Sequence, residues 1–167
     1  MLLIFQEEQQ DGLWAGEGKL EGYGKFIGKI KDNKGKQLYD FSEWLAHLFI
    51  EKKPDLVIIE KPFRGRNSNV LAHLSKFVAV AQLTAYRVLK LEIQPECFLD
   101  PRAIKRGLKV KKGRDHNGNK KIMVKRINSL YGLHLKFRKN KAKSYNDDDE
   151  ADAIAVLTAW WLLKGYK

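Results

Sequence analysis

A chain of 167 residues suits one domain with a full core, and a composition 44% hydrophobic and 31% charged excludes a disordered polypeptide. The single cysteine, Cys97, excludes an internal disulfide and a cysteine-based zinc site. A formal net charge of +12 points to a polyanionic partner, nucleic acid above all.

The basic excess is uneven. Between Pro101 and Lys143 sixteen basic residues stand against one acid, Asp115. Met1–Phe5 is too short for a secretory core, and Ala151–Leu163 is too short to span a bilayer. The expectation is a soluble intracellular protein, cytoplasmic, and nucleoid-associated if its source is bacterial or phage.

In chain order, Met1–Phe5 reads as a buried strand. Gly12–Gly16 and Tyr23–Ile27 read as two more, joined by a hairpin-like link at Glu17-Gly18-Lys19. Lys31–Gly35 reads as a polar loop. Asp40 with Glu43 forms a capping box, and Phe41, Trp44, Leu45, Leu48 and Phe49 follow at helical spacing until Pro54. Leu56–Ile59 has no alternation, so it predicts a strand covered on both faces. Glu60 stands at its carboxyl end, where open α/β sheets place functional groups.

Arg64–Asn69 is a basic loop, and Leu71, Leu74, Val78, Ala81, Ala85 and Val88 predict a helix over roughly 69–90. Glu92–Phe98 reads as a strand, at an edge because of Pro95. Pro101 suits the first turn of a helix running to about Gly107. Lys109–Asn119 reads as a basic loop, Lys120–Tyr131 as a basic helix, and Lys136–Lys143 as a positive tract. The last helix opens on Asp147-Asp148-Asp149-Glu150 and is apolar nearly all round from Ala151 to Leu163, so it should be buried.

Asp149 and Asp152 are three apart and share a helix face. Two carboxylates at the mouth of a buried helix, in so basic a chain, fit a divalent cation, since hard cations take oxygen ligands. Asp147 and Asp148 read as charges that complement the helix dipole. The histidines (His47, His73, His116 and His134) lack metal-ligand spacing, and no phosphate-binding glycine loop is present. Trp160 and Trp161 read as core or dimer contacts. Three strands, a helix, a strand, a helix, a strand and then helices make an α/β fold, a mixed five-stranded sheet with helices on its faces.

Three segments resemble one family. Val57-Ile58-Ile59-Glu60-Lys61-Pro62-Phe63 resembles the second acidic motif of RuvC-type Holliday junction resolvases. Asp149-Glu150-Ala151-Asp152-Ala153-Ile154-Ala155 resembles their C-terminal motif, and Gly18–Gly24 their second-to-third strand turn. The resemblance covers residues 1–167 as a single RuvC-like nuclease domain. It implies an RNase H-like sheet with helices on both faces, and a homodimer acting on branched DNA, four-way junctions above all. It also implies Mg²⁺, two ions per site, with Mn²⁺ able to substitute.

The same resemblance implies roles for single residues. Glu60, Asp149 and Asp152 match three of the family's four metal-holding acids. The fourth, an aspartate ending the first strand, falls on Gln6 here, which offers only a neutral carbonyl oxygen. Three readings stay open: a position altered from aspartate, a local shift that brings in Glu7 or Glu8, or use of Asp11 after a late strand end. Phe63 holds the place of a junction-inserting aromatic, with Arg64 and Arg66 beside it to grip phosphates. Lys105 and Lys120 match lysines near the scissile phosphate. Two rival expectations are a less selective branched-DNA or flap nuclease and a structural protein that binds junctions without cutting.

Overall fold

The computed structural model describes Phe26 and residues 33–62, 68–111, 116–137 and 147–165. The strands expected at Met1–Phe5, Gly12–Gly16 and Tyr23–Ile27 lie outside these residues, Phe26 excepted. Among the described residues the sheet has two strands.

Helix α1 covers Lys34–Lys52, and the capping expectation for Asp40 is corrected. Asn33 is the cap, its side chain accepting from the Lys36 amide at 2.7 Å. Asp40 lies inside the helix and pairs with Lys36 one turn earlier, at 2.6 Å. So residues 34 and 35, expected in a loop, form the first turn. Phe41, Leu45 and Phe49 are buried, as their spacing predicts. The helix stops at Lys53, which adopts a left-handed conformation (φ 43°) and donates its N–H to the Phe49 carbonyl.

Val57, Ile58 and Ile59 are buried as expected, and strand β1 pairs over Ile59–Glu60. Helix α2 covers Ser68–Leu89 and packs on α1. At their interface the Phe41 and Phe77 rings meet edge to face at 5.0 Å, and the Ser42 and Thr84 hydroxyls lie 3.1 Å apart.

The strand expected over Glu92–Phe98 is corrected. Pro95–Cys97 forms a 3₁₀ turn, and strand β2 is Phe98–Leu99. Proline lacks the amide a ladder needs but suits the first position of a helical turn. β1 and β2 run parallel, Ile59 opposite Phe98 and Glu60 opposite Leu99. Their carboxyl ends therefore share one edge.

Helix α3, Pro101–Gly107, starts directly beyond β2, with Asp100 capping the Arg102 amide at 2.7 Å. Gly107 packs against α5: a β-carbon there would lie 3.0 Å from the Ala159 carbonyl oxygen. Helix α4 covers His116–Tyr131, one turn earlier than expected. Helix α5 covers Asp148–Leu163 and packs on both α3 and α4. From Ala151 to Trp161 it is buried except for the half-buried Asp152 and Leu157, but Leu162 and Leu163 are exposed, so burial ends sooner than the sequence suggested.

Candidate active site

Glu60 ends β1, and α3 begins at the same edge of the sheet, beyond β2. The cleft formed there has a volume of about 210 Å³. Glu60, Lys105, Lys120 and Asp152 line it, above an apolar floor that includes Ile104 and Met123. Strand β1, α3, α4 and α5 thus each contribute one charged side chain, from positions far apart in the chain.

Two carboxyls share this cleft with two lysines. The Asp152 carboxyl is pushed up to about 7. Desolvation is the main cause and the negative charge of Glu60 the next, with Lys120 opposing and Asp148 and Asp149 adding. Glu60 is exposed as a residue, yet its carboxyl too is raised, chiefly by desolvation where it meets the cleft, with Lys105 opposing. For Lys120 desolvation pulls downward. The hydrogen bond and charge of Asp148, helped by Asp152 and Asp149, outweigh it, and the net shift is upward.

Of the residues singled out from sequence, Glu60, Asp152, Lys105 and Lys120 meet in the cleft. Asp149 does not line it. It is exposed in the first turn of α5, though its charge reaches Asp152 and Lys120. Gln6, Phe63, Arg64 and Arg66 lie outside the described residues, as do Glu7, Glu8 and Asp11. Among the described residues no group of three or more His, Cys, Asp or Glu side chains is gathered as for a metal ion.

The residue that sequence reading missed is Asp148. It is not merely a helix-end charge. It is buried and forms an ion pair with Lys120. The signal was the phase of α5. Asp148, Asp152 and Ala155 stand at i, i+4 and i+7, and Asp152 and Ala155 both line the cleft. Four acids in a row hid that register.

Asp147 has a different role. Its carboxylate accepts from the Lys136 amide at 2.9 Å, and its own amide donates to the Lys136 carbonyl at 2.9 Å. This pair of bonds fixes the chain where it enters α5.

The arrangement of these elements is a RuvC-like fold. Two solved structures of Thermus thermophilus RuvC are similar to this chain. One, in complex with a Holliday junction substrate, has a TM-score of 0.63 at 12% identity, covering 88% of this chain and 80% of the other. The second has a TM-score of 0.63 at 14% identity, covering 90% and 84%. No family model and no curated protein sequence matches. No described helix is long and apolar enough to cross a membrane.

Proposed function

We propose that this chain is a divalent-metal-dependent endonuclease of the RuvC kind that acts on branched DNA, four-way junctions first, as a homodimer. The observation that carries this reading is the meeting of Glu60 and Asp152 with Lys105 and Lys120 in one cleft at the carboxyl edge of the strands. Perturbed carboxyls in a cleft mark a functional-site candidate. The similarity of the fold to a RuvC bound to a Holliday junction supports the choice of substrate.

The donor set fits a hard divalent ion. Carboxylate oxygens are what such ions prefer, and the repulsion between Glu60 and Asp152 is what a cation relieves. Glu60 and Asp152, with the Gln6 position, would hold Mg²⁺, or Mn²⁺ in its place, as two ions per site, and Asp149, outside the cleft lining, adds its negative charge nearby. When bound, such ions supply an activated water and stabilise the leaving oxygen of a phosphodiester. The protein's own groups do the rest. Lys105 and Lys120 offset phosphate charge at the cleft. Arg64 and Arg66 grip flanking phosphates, and Phe63 wedges into the junction. The basic stretch from Pro101 to Lys143 supplies affinity that falls steeply with salt. A two-fold dimer presents two equivalent sites to a symmetric junction.

Gln6 favours a second reading, a junction binder that does not cut, because a neutral amide holds a cation less well than a carboxylate. Cleavage of a four-way junction, a fork and a linear duplex, by this chain and by Gln6→Asp in Mg²⁺ and in Mn²⁺, decides between them. The expected result is junction cleavage, faster with Gln6→Asp. If both proteins bind junctions and neither cuts, the non-cleaving reading replaces ours. Equal cutting of all three substrates would favour the less selective nuclease.

A further inference from the structure

We propose that Asp148 is a positioning residue: it anchors the Lys120 ammonium at the wall of the cleft, so that the remaining N–H donors of Lys120 face a phosphate bound there. This inference rests on the reading of the cleft as a DNA-phosphate site. It assigns a role to a residue that the acid pattern of the sequence does not.

Lysine carries a flexible stem with many rotamers, and left alone it favours water. Lys120 is the fifth residue of α4, and helix side chains lean toward the N-terminus. Its ammonium is therefore drawn toward the positive end of the α4 dipole, where a cation is disfavoured. No acid stands in the first turn of α4 to offset this. Even so, the Lys120 side chain is only 21% exposed.

What holds it there is the Asp148 carboxylate, which accepts its hydrogen bond and is itself 6% exposed. Asp148 opens α5, and a carboxylate is favoured at that end of a helix. An ammonium has three donors. One is spent on Asp148, and the others remain for a ligand beside Glu60 and Asp152.

Joining α4 to α5 does not require this ion pair. The two helices already share apolar contacts, and the Tyr131 and Thr158 hydroxyls meet at 2.8 Å toward the other end of α4. The pair adds direction to one side chain at the cleft.

The test is junction affinity without metal, for the full chain, Asp148→Asn, Asp148→Glu, Lys120→Ala and the Asp148→Asn/Lys120→Ala double variant. If charge alone mattered, Asp148→Asn would bind DNA more tightly, because it removes a negative charge. Positioning predicts the opposite sign: affinity about tenfold weaker, the size of one lost charge-assisted hydrogen bond. Asp148→Glu keeps the carboxylate and should stay within about threefold of the full chain, on the scale where 1.4 kcal/mol is tenfold. In the Lys120→Ala background Asp148→Asn should cause no loss of affinity, because nothing is left to position and only the removal of a negative charge remains.

Unchanged or tighter binding by Asp148→Asn overturns the proposal, and so does an equal loss in both backgrounds. If the chain binds no junction at all, the nucleic-acid reading falls instead. The anchoring is then decided by NMR of the Lys120 ammonium. A slowly exchanging signal that Asp148→Asn abolishes supports it, and absence of that signal from the unchanged chain overturns it.

Discussion

The α1–α2 pair and the α3–α4–α5 group are built on opposite principles. In the first, Phe41 gathers the rings of Phe26, Trp44 and Phe77 within 6.0 Å, and the Ser42–Thr84 contact adds a polar tie. These contacts all favour folding. In the second, α5 is buried among apolar neighbours, yet its first turns carry Asp148 and Asp152 toward Glu60, Lys105 and Lys120. There the folded state brings carboxylates together against their own repulsion. One region supplies stability, and the other spends part of it on a charged cleft. That is the usual trade between stability and function.

Four measurements bear on this contrast. The largest effect is expected in the stabilising half. Phe41 is 1% exposed, and Phe41→Ala should lower unfolding free energy by about 3–5 kcal/mol in a urea titration. Next comes the cleft. In the Gln6→Asp background, Glu60→Gln or Asp152→Asn should slow junction cleavage on the order of 10²–10³-fold in a single-turnover assay, the scale of one lost preorganised electrostatic group. Junction binding should survive both changes.

The third effect is a pH dependence. Asp152 ionises near 3.8 when unfolded but only at about 7 when folded. Between those values the folded state keeps a proton that the unfolded state has released. Without divalent ions, stability should therefore decline as pH rises through that window and level off above it, by up to about 1.4 kcal/mol per unit. Thermal melts at pH 5 and pH 8 check this. Asp152→Asn should flatten the decline and melt higher than the unchanged chain at pH 8.

The smallest effect returns to the other half. Lys53 closes α1 in a left-handed conformation that glycine adopts without strain. Lys53→Gly should stabilise the protein by about 0.5–1 kcal/mol in the same urea titration and leave the cleft untouched.

The sequence disclosed these halves unequally. Helix α2 and the start of α3 were legible because their signals are local: apolar spacing from Leu71 to Val88, and Pro101 in a first turn. The start of α1 was misplaced because Asn33 sits in a lysine-rich stretch that looks like loop, while Asp40-Glu43 imitates a cap. The Glu92–Phe98 strand failed at Pro95, whose fixed φ and missing amide suit a 3₁₀ turn instead.

No local pattern brings Glu60 to Asp152. Their nearness depends on how α5 packs beyond β1, and only the resemblance of the flanking motifs anticipated it. Asp148 escaped because its role depends on a partner in another helix, Lys120.

Calorimetric titration of Mn²⁺ into this chain, Glu60→Gln and Asp152→Asn, without DNA, bears most directly on the shared cleft. The unchanged chain is expected to bind the ion, and each substitution to weaken binding at least about tenfold, the low end for disturbing a metal site. Equal Mn²⁺ affinity in all three proteins would contradict this expectation.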